Sequence, residues 1–498
     1  MKKIILTVVC LAMSFIALPA QDIKDRASYT LNIDQNLWYN TDNAAGLSRD
    51  DLASWRDVSF NYALQAGAFT DSWSARTQSE FNLSGDTFMD IEGFKVAADV
   101  YLGHDGLKRT RFNNSLYELK WDMPFFVALN SEEPMKWGRN RATVNVSAST
   151  PLLFDDMFTF GLNLGLEGRT AAKKAGPSAR YSDLTVRLSP SATLAIDPDN
   201  VVGLAIYYET NPARSVIAKG QDVTTVAILQ GLGEFLPRTA GGESGFGPLK
   251  LSSYLIGAGA QFCHTGDAAD FMAEASLRKG ASSSTASDNL IGTVDKYLIG
   301  AHFQGLFGDE RNKKLTLDFD YNLNYWIKPL GSRTIANNNL IDANLEYTSY
   351  TRAKRGEAFD WMFGAGIDFW SLSLKRVVPD GLLTGVKILP YAFLGKNLAL
   401  SKEESLFVKA NLGYNFSINS DYQYGGLGTA GNYFVNYMYD EEVDYLSRYF
   451  LATKLDATYT YQVNTFFAAY ASLGVGYQKP MGVKGSRLAM LLSVGVMF

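Results

Sequence analysis

Cysteine is scarce in this chain of 498 residues, which carries two, Cys10 and Cys263. Cys10 falls in an apolar N-terminal stretch of signal-peptide type. Only Cys263 would survive its removal, which excludes an internal disulfide framework. Histidine is nearly as rare. His104, His264 and His302 lie far apart, none in an H-E-x-x-H pattern. His264 follows Cys263, but adjacent strand residues face opposite ways, so the two do not share a metal. No nucleophile, base and orienting group come together, so no catalytic, metal or cofactor residues are assigned and an enzyme is not expected. Positive charge is not in excess. The net charge is −5, and −7 once Lys2 and Lys3 leave with residues 1–20, which argues against a nucleic-acid partner. Beyond residue 20 no apolar run approaches the ~18 residues of a membrane-spanning helix. The one phosphate-loop-like string, GGLGTAG at 425–431, stands in a polar, tyrosine-rich stretch. It lacks the strand–turn–helix setting that gives such a motif meaning and reads as a loop.

What is present points elsewhere. MKKIILTVVCLAMSFIALPAQ has a basic start, an apolar middle and a small residue, Ala20, before Gln21. Residues 1–20 are read as a secretory signal peptide. The remainder is rich in Tyr (27), Phe (30) and Gly (44). An exported chain with that composition and no spanning helix is either an outer-membrane β-barrel or a large secreted β-protein.

Alternation decides between them. In FTFGLNLGLEGR, Phe158, Phe160, Leu162, Leu164 and Leu166 share one face; Thr159, Asn163, Glu167 and Arg169 share the other. LTLDFDYNLNYW sets Leu315, Leu317, Phe319 and Tyr321 against Asp318, Asp320, Asn322 and Asn324. RLAMLLSVGVMF ends with Val494, Val496 and Phe498 on the apolar face. Such runs recur at 56–69, 74–90, 94–107, 138–150, 157–169, 181–196, 200–211, 251–264, 269–280, 296–307, 313–327, 343–355, 358–373, 386–398, 404–417, 447–463, 466–479 and 485–498. They exceed the ~5–6 residues of a globular strand and match the ~9–11 of a tilted transmembrane strand. Tyr325, Tyr414, Tyr461 and Tyr477 stand toward the ends of apolar faces, as in an aromatic girdle. A soluble sandwich of this length is unusual, and no short fixed repeat supports a solenoid. The predicted fold is therefore all-β: a transmembrane antiparallel barrel of about 18 strands over residues 55–498, with 14 or 16 left open. Pro190, inside a strand, predicts a bulge. Short connections such as IEG, DPDN, TGDAA and AKRG alternate with longer segments near 108–137, 212–250, 281–295, 328–342 and 418–446. Short turns are expected in the periplasm and long loops outside the cell. The terminal Phe498, with Val496 and Val494, is read as the signal that barrel-assembly machinery recognises.

NLWYNTDNAAGL, residues 36–47, followed by RDVSFNYALQAGAF, resembles the entry of fatty-acid-transporter-like barrels. In those the segment before the first strand tucks into the lumen as a hatch, so the resemblance implies a luminal hatch for residues 21–54. The stretch from Trp38 to about Asn211, including QSEFNLSGDTFMDIEGFKVAADVYLG and PDNVVGLAIYY, is similar to an uncharacterised family of Bacteroidetes-type outer-membrane β-barrels. That similarity implies location and fold and no substrate.

The inward faces are expected to carry Arg187, Glu167, Arg169, Asp318, Asp320, Lys454, Asp456 and Lys409, together with Asp99 and Lys95. A polar lumen of mixed sign predicts a passive or gated channel for a small solute, in contact with outer-membrane lipid. The alternative is a non-transporting barrel that docks a protein partner. The aromatic, acidic stretch Asp421 to Tyr445 is its candidate surface.

Overall fold

The computed structural model describes residues 25–71, 74–110, 126–129, 135–173, 179–217, 224–229, 235–240, 249–286, 289–328, 333–351, 359–377, 380–424, 433–464 and 467–498. The N-terminal signal stretch and the glycine motif at 425–431 lie outside these residues.

Eighteen antiparallel strands form one closed sheet. In chain order they begin with β1 (Trp55–Gly67), β2 (Thr77–Ile91) and β3 (Phe94–Thr110). After a short strand outside the barrel, β4 (Phe126–Leu129), come β5 (Met135–Ser149), β6 (Phe158–Lys173), β7 (Ala179–Ala195) and β8 (Asn200–Ile217). Two further outside strands, β9 (Thr224–Leu229) and β10 (Phe235–Ala240), precede β11 (Leu249–Thr265), β12 (Ala269–Ala286), β13 (Asn289–Phe307), β14 (Lys313–Lys328) and β15 (Arg333–Tyr350). The barrel is completed by β16 (Trp361–Arg376), β17 (Gly381–Ala399), β18 (Glu404–Tyr424), β19 (Phe450–Asn464), β20 (Phe467–Pro480) and β21 (Arg487–Met497). Each strand pairs with its barrel neighbour in sequence. The ring closes where β1 meets β21, from Asp57 opposite Met497 to Gly67 opposite Arg487. Closure satisfies every strand edge, which lipid demands of a spanning sheet.

Period-two alternation sorts the side chains. Phe60, Leu204, Leu412 and Val494 point outward and are 50%, 54%, 57% and 51% exposed, an apolar exterior that only lipid or a partner covers. Their neighbours Ser59, Asn61, Asn411 and Ser493 point inward. No helix among the described residues is long and apolar enough to cross a membrane; the strands do the crossing. The chain ends at the rim where β1 begins. The Phe498 amide donates to Arg56 O, and its ring stacks on Phe467 with centroids 6.4 Å apart. Val494 and Val496 stand opposite Phe60 and Val58 on the outer face. We call this the terminal rim and its opposite the far rim.

Three sequence expectations need correction. The segments 281–295 and 328–342 are mostly strand, as β12–β13 and β14–β15 run on past the end of their lipid faces. Ladder hydrogen bonds do not need an apolar exterior, and inward Ser282, Ser284 and Asn324, each about 1% exposed, continue the pattern in polar residues. No register shift occurs at Pro190: β6 pairs through it, Leu162 opposite Pro190, and β7–β8 keep one register on either side. Finally, the stretch 421–445 is not a plain loop. Residues 421–424 finish β18, and Tyr433–Leu446 form a helix, α2, that turns back into the far mouth. There Tyr445 covers the Lys387 ammonium at 4.3 Å, and Leu446 lies against Gly385. Among the long connections, β4, β9 and β10 make a separate three-stranded sheet.

Candidate functional site

The lumen is occupied at the terminal rim by the residues that precede β1. A nine-residue helix, α1 (Arg26–Asp34), is capped by Asp25, whose carboxylate accepts the Ser28 amide at 2.7 Å. It is not amphipathic: Ala27 and Tyr29 are buried against the wall, while Arg26 and Thr30 border a cavity. Ala27 packs on Tyr350, Phe359, Met362 and Phe393, and Tyr29 on Trp55 and Phe88. Its charges find wall partners as well. Arg26 pairs with Asp57 at 3.0 Å, and the Tyr29 hydroxyl donates to Asp86. Asp34, an acid at the unfavourable helix C-terminus, is held by Lys314 at 2.7 Å and by the Tyr350 hydroxyl.

The chain then crosses to the opposite wall. Leu37 and Trp38 cover Cys263, Met272 and Leu306. Asp50 fastens this stretch by accepting the Trp38 and Tyr39 amides at 3.2 and 2.7 Å. Desolvation pushes its carboxyl up to about 7, against the pull of those amides and of Lys95. Burial likewise raises the Tyr29 hydroxyl, with the Asp86 charge adding to the effect. Asn43, fully buried, caps a 3-10 turn over Ala44–Arg49 and donates to Gln261 at 3.0 Å. Ala45 is gripped through its backbone: its amide donates to Ser191, and its carbonyl accepts Ser149 and Thr159 at 2.9 and 2.8 Å. The wall is cut away to fit, since a side chain at Gly161 would meet the Ala45 amide. Arg49 closes the seat on the carbonyls of Asp156 and Met157 at 2.7 and 2.8 Å.

Inward of this segment are two cavities. One, of about 510 Å³, has Tyr39, Thr41, Asp42 and Asn43 for its floor and Asp99, Asn145, Asn163, Arg187, Glu209 and Arg278 among its walls. The other, of about 650 Å³, lies toward Lys409, Lys454 and Asp456. Both touch Asp86 and Asp99.

The eight charged residues singled out from the sequence fall into three places. Glu167, Arg169 and Arg187 come together on β6–β7. Glu167 receives Arg141 at 3.0 Å, Arg169 at 3.6 Å and Arg187 at 3.7 Å, while Arg187 also pairs with Glu209 at 2.8 Å. Asp318 and Asp320 stand apart on β14, Asp318 bonded to His302 at 2.6 Å and Asp320 directly across from Asp342. Lys409, Lys454 and Asp456 form a third group, with Lys454 3.0 Å from Asp456. Asp99 accepts Asn145, and Lys95 pairs with Asp90. His104 and His264 bond Asn140 and Asn200. No local pattern marks Asp34, Asp42, Asp50, Arg278 or Gly161 as residues that seat the luminal segment. Each is an ordinary polar or small residue until the chain folds back on it.

A closed 18-stranded antiparallel barrel with an apolar exterior, a polar interior and its N-terminal segment folded inside is a β-barrel of the outer-membrane type. The chain belongs to a family of unknown function, DUF6850, whose profile matches residues 44–498. No curated protein sequence matches it. Among solved structures it is similar to BauA, the ferric preacinetobactin receptor from Acinetobacter baumannii, at 11% identity and a TM-score of 0.35, over 89% of this chain and 80% of that one. FyuA, the ferric yersiniabactin uptake receptor from Yersinia pestis, aligns at 6% identity and a TM-score of 0.42 over 89% and 80%. A FadL homologue from Pseudomonas aeruginosa aligns at 9% identity and a TM-score of 0.37 over 97% and 98%.

Proposed function

We propose that this chain is a gated outer-membrane transporter for a small polar solute, with residues 21–54 as its hatch. The observation that carries the reading is the division of the lumen: a docked segment at the terminal rim and hollow, polar space beyond it. The terminal rim then faces the periplasm and α2 the outside of the cell. The hatch is held by polar contacts, each worth ~0.5–1.5 kcal/mol net, and by small apolar contacts at Ala27, Tyr29, Leu37 and Trp38, none of them covalent. On this reading the chain catalyses nothing and requires no cofactor. Its partners are membrane lipid, the assembly machinery that recognises Phe498, and the solute.

The test is solute efflux from proteoliposomes, for the full chain and for one lacking residues 21–54. The reading predicts slow efflux for the first and fast efflux for the second. Impermeability of both defeats it and leaves the docking barrel, whose surface would be the α2 region.

A further inference from the structure

We infer that the 510 Å³ cavity over the hatch is a binding site for a neutral, polyhydroxylated solute of oligosaccharide type. This inference rests on the transporter reading and names its cargo. The cavity lies within the ~300–1,000 Å³ range of small-molecule sites but departs from their usual apolar lining. Beside Ala44, Leu47, Ala97 and Leu255 it presents the rings of Tyr39 and Tyr207, but carboxylate, guanidinium and amide groups are interleaved with them, so an acyl chain would strip water from polar groups without return.

The two guanidinium groups around it are already matched. Arg187 is held by Glu209, and Arg278 by Asp42 while stacking on Tyr207 at 4.1 Å. Asp99 accepts Asn145 at 2.8 Å, and Asp86 accepts the Tyr29 hydroxyl and the Trp55 indole. An anionic ligand would have to break one of the arginine pairs and would face Asp86 and Asp99, whose hydrogen-bond donors are neutral. What the wall still offers is closely spaced acceptors on carboxylates and donors on guanidinium and amide groups. A hydroxyl, which donates and accepts at once, suits that mixture. A second observation points the same way. Ser189 lines this cavity, and its buried hydroxyl has no hydrogen-bond partner among the described residues, which leaves a polar atom for a ligand to satisfy. Because Tyr39, Thr41, Asp42 and Asn43 are the floor, a solute bound here touches wall and hatch together.

Equilibrium dialysis of the full-length protein tests this without requiring transport. The probes are maltotriose, cellotriose and xylotriose, against lysine, glutamate and decanoate. At least one trisaccharide should bind saturably. The Asn145→Leu/Asn163→Leu double variant, which removes two amides from the wall at nearly constant volume, should bind it at least about tenfold more weakly. Heat-modifiable gel mobility shows whether the variant barrel is intact, and Ser189→Ala, the smallest possible change in the same wall, supplies a second variant with a loss in the same direction. No saturable trisaccharide binding, unchanged affinity in both variants, or tighter binding of lysine, glutamate or decanoate overturns the inference. Binding without efflux would instead count against the transporter reading alone.

Discussion

Replacing Gly161 by alanine should unseat the hatch while leaving the barrel whole. Gly161 pairs in register with Ser149 on β5 and Ser191 on β7, in ordinary extended backbone that alanine also adopts. Its added methyl would lie 2.1 Å from the Ala45 amide and 2.5 Å from the Ala44 carbonyl carbon. Both are backbone atoms that cannot rotate away. Overpacking of this kind costs ~1–3 kcal/mol. Displacing Ala45 also loosens its bonds to Ser191, Ser149 and Thr159, at ~1 kcal/mol each. Together the docked state loses about 4–6 kcal/mol, and at tenfold per ~1.4 kcal/mol the undocked population rises at least ~500-fold. The chain supplies its own reporter. Trp38 lies directly against Gly46 and, with Leu37, covers the buried thiol of Cys263. Maleimide labelling of Cys263 in detergent, located by peptide mapping, should accelerate in Gly161→Ala toward the rate of the chain lacking residues 21–54. Labelling within threefold of the parent, in a variant whose heat-modifiable mobility shows an intact barrel, would refute the reasoning.

Three further expectations concern the same segment and the chain end. Burial holds the Asp50 pKa near 7 in the docked hatch, above its ordinary value near 4. Its contribution to docking is therefore full below about pH 4 and lost as pH rises through about 7. Open probability in bilayers should be higher at about pH 8 than at about pH 5, and Asp50→Asn should flatten the difference; a slope of opposite sign rejects the assignment. Asp34→Ala leaves Lys314 and Tyr350 without their carboxylate and should cost α1 about 1–3 kcal/mol, read as roughly ten- to a hundredfold faster tryptic cleavage within residues 25–54. Phe498→Ala should lower the yield of assembled, heat-modifiable protein in cells, and an unchanged yield would remove Phe498 as an assembly signal.

How far the sequence could be read follows from what enforces each feature. Lipid enforces the outer faces, so runs such as Phe158–Leu166 and Leu315–Tyr325 announce their strands, and the strands lie close to where alternation places them except β15, which runs over Arg333–Tyr350 and not 343–355. Above the lipid nothing apolar is required. ASSSTA and the stretch around Asn337–Asn339 therefore read as loops although their backbones stay in the ladder. The helix α1 does not show in the sequence because RASYTLNID has no apolar stripe; Arg26, Tyr29 and Asp34 hold it to the wall through polar contacts, which leave no 3.6-residue pattern. The fit of Ala45 into the wall at Gly161 joins residues more than a hundred positions apart, and no local pattern encodes it. The lumen charges were legible as inward residues, but their sorting into a matched group on β6–β8 and a carboxylate bank on β14–β15 depends on the closure of the ring.

Single-channel conductance in planar bilayers addresses the central claim most directly. The account predicts a full-length protein that is mostly closed, with brief openings, and sustained, ohmic conductance after deletion of residues 21–54. Silence from both proteins, with folded barrel verified in the bilayer preparation, would contradict it.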